Sequence, residues 1–119
     1  MEKIRIAIPT EEMEGLESKI SEVLGKAKAF VVVEVEDGEI KNVKALNNPA
    51  SSYEYGSGPV TAKMLRDLNV THVFAAEFGP GVSTILEDHD IRMVQVKSNI
   101  KVSEAIKEGL AKLNLKLKV

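Results

Sequence analysis

Cysteine is absent from this 119-residue chain and histidine occurs only twice. Without cysteine there are no disulfides, no thiolate nucleophiles and none of the thiolate ligands normally used by iron–sulfur clusters. Any metal would have to be held by imidazole, carboxylate, amide or main-chain oxygen. No apolar run approaches the roughly 20 residues needed to cross a bilayer, and the chain opens on a charged strand rather than a signal peptide. That pattern predicts a cytoplasmic protein with no membrane partner. Positive charge is also not in excess: 16 Lys and Arg face 18 Asp and Glu, a net charge of −2. No basic field is offered to phosphates, which argues against nucleic acid as a partner.

What is present is enough apolar material for a core. Hydrophobic residues make up 44% and charged residues 29% of the chain, and the length suits a single domain over residues 1–119. Ile4, Ile6 and Ile8 end at Pro9-Thr10 and read as a first strand. Phe30–Glu36 is rich in β-branched residues, and Asp37-Gly38 is a tight turn into Ile40–Leu46, so strands two and three form a hairpin. Val60, Met64, Leu65 and Leu68 recur at helical spacing, which predicts a helix over about Pro59–Leu68 ended by Asn69. Thr71–Ala76 reads as the fourth strand, Val82, Ile85 and Leu86 as a short helix, and Ile91–Val96 as the fifth strand. Val102, Ala105, Ile106, Leu110 and Leu113 form the stripe of a third helix. The element order is therefore βββαβαβα. Between Glu11 and Lys28, Leu16, Ile20, Val23 and Leu24 suit a short helix or an ordered connection. The tail Leu113, Leu115, Leu117, Val119 alternates with polar residues, which suits an extended strand on a sheet edge or on a second subunit, or else a frayed terminus.

Chain order also predicts where a ligand would bind. A tight hairpin reverses direction and a βαβ crossover preserves it, so strands one, three, four and five point the same way. Their carboxyl ends carry Thr10, Asn48, Glu77 and Gln95, on the edge where open α/β sheets bind ligands. Two loops reach that edge, Asn48-Pro49-Ala50 running into Gly56-Ser57-Gly58-Pro59, and Gly79-Pro80-Gly81. Glycine allows close backbone approach and proline fits a first helical turn, so both loops suit the aiming of helix N-terminal N–H groups at an anion. The same residues also serve in ordinary strand-to-helix turns. The expected ligand-binding set is Thr10, Asn48, Gly56, Ser57, Gly58, Glu77, Gly79, Pro80 and Gly81, with no catalytic and no metal-ligating residue.

The remaining chemistry-bearing residues form no motif. His72 opens a strand and His89 ends a helix, at a spacing that matches no metal site. Glu77 suits a ligand, a base or a solvated loop carboxylate, and Glu22 carries the same alternatives. Ser57 lacks His and Asp partners and a nucleophile elbow, and reads as a helix cap. Tyr53 and Tyr55 suit either stacking on a ligand or packing back on the surface.

Ile6-Ala7-Ile8-Pro9-Thr10, Ser21–Ala27, Asn47-Asn48-Pro49-Ala50, Gly56-Ser57-Gly58, Phe78-Gly79-Pro80 and Val102–Ile106, in this order, resemble the dinitrogenase iron-molybdenum cofactor biosynthesis family. The resemblance spans nearly the whole chain. It implies a ribonuclease H-like, three-layer α/β fold with a mixed five-stranded sheet in the order 3-2-1-4-5. It also implies a non-catalytic carrier of an iron-molybdenum or iron–sulfur cofactor, its precursor or a related anionic ligand, held as cargo. A cofactor-assembly protein would be the partner, and the chain a monomer or small homo-oligomer. Where relatives often read Ser-Glu-His-Phe-Gly, this chain has Ser21-Glu22-Val23-Leu24-Gly25, and Ser51–Tyr55 replaces a loop that often carries histidine. The ligands suited to a cluster are thus missing from the expected places. That leaves a regulatory or interaction module that has lost cluster binding as the alternative. A metal-dependent phosphoester hydrolase is more distant, because strand one carries no acidic residue for a two-metal site.

Overall fold

The computed structural model describes residues 3–50 and 57–115. Five strands and three α-helices follow one another as β1 (Lys3–Thr10), β2 (Ala29–Glu36), β3 (Glu39–Asn47), α1 (Ser57–Asp67), β4 (His72–Ala75), α2 (Pro80–Asp88), β5 (Arg92–Gln95) and α3 (Val102–Lys112). The sheet order is β3-β2-β1-β4-β5. β2 is antiparallel to β1 and β3, and β4 is parallel to β1 and β5. Thr10, Asn47 and Gln95 therefore end their strands on one edge of a mixed sheet, as does Ala75.

Side-chain alternation sorts the strands into two faces. Ile4, Ile6, Ile8, Val31, Val33, Val35, Phe74 and Val94 pack on one face under Val102, Ala105, Ile106 and Leu110 of α3. Ala7, Phe30, Val73 and Ala75 pack on the other under Ala62 and Leu65 of α1 and Val82 and Leu86 of α2. Three layers result, with the sheet in the middle. Each fully buried Ile, Leu or Phe contributes about 1.5–3 kcal/mol, so the two clusters outweigh any surface interaction. Arg5 places a partly buried charge on central β1. Its guanidinium pairs with the Glu34 carboxylate and donates to the Leu68 C=O at 2.8 Å, so the charge is matched where α1 ends.

Local chemistry sets the turns. Asp37 and Gly38 both have positive φ, 52° and 82°, which matches the right-handed twist of the β2–β3 hairpin. All three helices end alike. Asn69, Asp90 and Asn114 take φ of 59°, 57° and 59°, and the next residues, Val70, Ile91 and Leu115, donate their N–H back to Leu65, Leu86 and Leu110. This bond closes a helix end and covers its last apolar residue with the one that follows.

Two expectations need correction, and the 11–28 segment takes the second of its two alternatives, an ordered connection. The first helix begins at Ser57, two residues ahead of Pro59, because proline lacks an N–H that the first turn does not use. The 11–28 segment holds no α-helix, only 3-10 turns at Gly15–Glu17 and Leu24–Lys26. Leu113–Leu115 is not extended: Leu113 is the helix cap, Asn114 the left-handed residue and Leu115 the residue folded back on Leu110. Lys116–Val119, the remainder of the alternating tail, and Ser51–Gly56, with Tyr53 and Tyr55, lie outside the described residues.

Candidate functional site at the carboxyl edge

The connection after β1 does what no periodicity announced: it runs along the carboxyl edge and joins the ends of β1 and β4 to the start of α3. Thr10 forms a bridge with Ile20, and the Ser21 N–H donates to the Pro9 C=O at 2.8 Å. Val23 pairs with Glu77 as a parallel bridge, and the Leu24 N–H donates to the Glu77 C=O at 3.2 Å. On the far side, the Ile20 N–H reaches the Ile100 C=O, and the Val102 N–H reaches the Ser18 C=O, both at 2.9 Å. Residues 18–24 therefore form a strap from the α3 face, where Ile20 is buried, to the α1 face, where Leu24 is buried.

Several expected site residues are used to build this edge. Thr10 is fully buried and its hydroxyl donates to the Glu12 C=O at 2.7 Å. Asn48 is buried too; its amide donates to the Ala27 C=O at 2.9 Å and accepts the Ala50 N–H at 3.1 Å, closing a side-chain turn. Glu77 is exposed beside Val23, and Gln95 donates from its side chain to the Ala76 C=O at 3.0 Å, fixing the start of the same loop. Gly56 lies outside the described residues.

The two glycine-proline loops do meet at their helices. A Cβ on Gly58 would stand 2.7 Å from the Val82 side chain, so the first turns of α1 and α2 touch where glycine lacks a side chain. Gly79 caps α2 with φ 82°, a conformation open to glycine, and offers no side-chain cap; Pro80 occupies the first turn. Both helices point their N-termini, whose first-turn N–H groups have no partner within the helix and whose dipole ends are positive, toward the carboxyl edge. Ser57 and Gly58 begin α1, and Gly79, Pro80 and Gly81 begin α2.

Imidazole is remote from all of this. His72 is buried at the amino end of β4, its Nδ1 2.8 Å from the Thr71 hydroxyl and its ring edge-on to Phe74. His89 caps the opposite end of α2. A nine-residue helix is about 13 Å long, so neither ring reaches the edge. Among the described residues no group of three His, Cys, Asp or Glu could hold a metal ion. On the α3 side of the strap, Glu11, Ile20, Glu22, Ser98 and Asn99 line an open depression of about 430 Å³. Sequence reasoning missed Ser98 and Asn99; the positive φ of Asn99, 61°, marks a turn that propensity alone does not reveal.

The chain is thus a small three-layer α/β domain with two helix N-termini on the carboxyl edge of its mixed sheet. The chain belongs to the dinitrogenase iron-molybdenum cofactor family, whose model matches residues 2–112. An uncharacterised protein of Methanocaldococcus jannaschii is 25% identical over 104 residues, 87% of this chain and 83% of that one. Among solved structures, the apo form of the orange protein from Desulfovibrio gigas superposes with a TM-score of 0.81 at 24% identity, covering 91% of this chain and 88% of that one. A candidate dinitrogenase of Methanocaldococcus jannaschii gives 0.71 at 19% identity, covering 100% and 97%. No helix among the described residues is long and apolar enough to cross a membrane.

Proposed function

We propose that the protein is a non-catalytic carrier that binds an iron-molybdenum or iron–sulfur cofactor, its precursor or a related anionic ligand at the carboxyl edge, in the cytoplasm, and passes it to a cofactor-assembly protein. Family membership over residues 2–112 supports the ligand class. The observation that carries the site is the contact of Gly58 with Val82, which brings two helix N-termini together. Their N–H groups attract negative charge without a metal–side-chain bond. The ligand set Thr10, Asn48, Gly56, Ser57, Gly58, Glu77, Gly79, Pro80 and Gly81 belongs to this reading, with Thr10 and Asn48 shaping the edge from within. The ribonuclease H-like assignment belongs to it as well, resting on the sheet order. So does a monomer or small homo-oligomer as the carrying unit.

A second reading, an interaction module that no longer binds a cluster, draws support from Val23, which stands exposed where relatives often carry imidazole. Anaerobic purification, metal analysis and titration with isolated cofactor separate the two. Saturable binding supports carriage; a protein that stays metal-free at cofactor excess supports the module.

A further inference from the structure

Donors without acceptors gather where α1 meets α2. The Thr61 hydroxyl is fully buried and, among the described residues, is the buried side-chain polar atom left without a hydrogen-bond partner. Leaving such a group unpaired costs about 1–3 kcal/mol, so a chain that keeps it there has a use for it. Thr61 lies one turn after Gly58 on the same face of α1, and helical side chains lean toward the N-terminus. Its side chain therefore leans toward the Gly58 turn. On the other side of that seam a Cβ on Gly58 would be 3.9 Å from the Val82 nitrogen. The Gly81 and Val82 N–H groups precede the first helical bond of α2, from the Ser83 N–H to the Gly79 C=O, and lack an acceptor among the described residues.

Gly81 itself is the second clue. Gly15, Gly38 and Gly79 have positive φ, and Gly58 and Gly109 are held by close contacts, whereas Gly81 has neither reason: a Cβ there would meet nothing within 4 Å. Among the described residues, no atom stands where its side chain would be. The three groups share one chemistry, since two main-chain N–H and one O–H can all donate to an acceptor whose negative charge the positive ends of two helix dipoles attract.

We infer that this seam binds a tetrahedral oxyanion, its oxygens accepting from the Gly81 and Val82 N–H groups and from the Thr61 hydroxyl at the floor. The inference rests on the proposed ligand edge and narrows its chemistry from a cluster held through metal to an anion held through oxygen. Exposed Glu77, two residues ahead of Gly79, is the charge that opposes it.

Titration of 15N-labelled protein with sodium phosphate and with sodium sulfate, at ionic strength held constant with chloride, tests this. Saturable shifts centred on the Gly81, Val82 and Thr61 amides are expected with both oxyanions and not with chloride alone. Thr61→Val, which keeps the shape and removes the donor, should weaken binding about tenfold, while Thr61→Ser keeps it. Gly81→Ala should fold as well as the parent, its methyl meeting no protein atom, and yet bind more weakly. Glu77→Gln should bind more tightly. No saturable shift at those amides, or parental affinity in both Thr61→Val and Gly81→Ala, overturns the inference. Titrating the same samples with the isolated iron-bearing cofactor keeps the two readings apart. Cofactor binding without oxyanion binding overturns the inference and leaves carriage standing, and the reverse result does the opposite.

Discussion

Val23 and Glu77 are paired across the carboxyl edge, with the Leu24 N–H bonded to the Glu77 C=O beside them. The pairing closes the strap over the ends of β1 and β4, where open α/β sheets usually leave a crevice. A ligand at this edge must therefore sit outside the strap, and Val23, 36% exposed, is one of the side chains it would meet.

Val23→His follows from that position. The substitution places an imidazole next to Glu77 on an edge that otherwise lacks one, and imidazole suits iron. We predict that it strengthens binding of an iron-containing cofactor by about tenfold, or 1.4 kcal/mol. Parallel anaerobic titrations of the two proteins check this. Equal and tight binding by both would mean that the main-chain donors already suffice.

Gly109→Ala should destabilise the fold. Its Cβ would lie 2.3 Å from a Phe74 ring carbon, so α3 must lift from the sheet or the ring must move. Overpacking of this kind costs about 1–3 kcal/mol, against a helix-propensity gain of about 1 kcal/mol. Urea unfolding gives the sign. Phe74→Leu in the same chain should recover part of the loss; strict additivity of the two substitutions would contradict the contact.

Asn114 holds a left-handed conformation that alanine resists. Asn114→Ala should cost about 1 kcal/mol, whereas Asn114→Gly should be neutral or slightly stabilising. Thermal unfolding distinguishes them. The Leu115 amide, bonded to the Leu110 C=O at 2.8 Å, should exchange slowly at every protein concentration. Protection that appears only at high concentration would favour a strand added to a second subunit.

Lys101 gives a pH prediction. Its ammonium donates to Glu17 at 2.9 Å, and this hydrogen bond, then the Glu17 charge, raises its pKa above 10.5. A pKa raised in the folded state stabilises fully below the unfolded value and fades as pH rises through the folded one. The pair is exposed and screened, so the effect at neutral pH is slight. Glu17→Gln should bring the Lys101 titration, followed by NMR, back toward its ordinary midpoint and leave the thermal midpoint at pH 7 nearly unchanged. A Lys101 titration left where it was would contradict the pairing.

β1 and β2 were legible because apolar, largely β-branched residues dominate them, β4 and β5 only as short apolar runs between turns and helices, and the β2–β3 turn because Asp37-Gly38 permits two positive φ angles. The strap was legible only as an ordered connection and not in its path, since 3-10 turns carry no long period and its bonds go to Pro9, Glu77 and Ile100, far apart in sequence. The tail misled for a specific reason. A helix-closing bond sets apolar Leu113 and Leu115 two residues apart around Asn114, which is also the spacing of a strand. The carboxyl edge could be located from strand direction alone. The meeting of Gly58 with Val82 could not, because it depends on a side chain that glycine lacks.

Binding of the isolated iron-molybdenum cofactor to 15N-labelled protein under anaerobic conditions, read as paramagnetic broadening of amide signals, tests the carrier account most directly. The account predicts saturable broadening centred on Val23, Glu77, Gly81 and Val82 and fading toward His89 at the far end of α2. Broadening centred on His72 or His89, or no saturable binding at all, would contradict it.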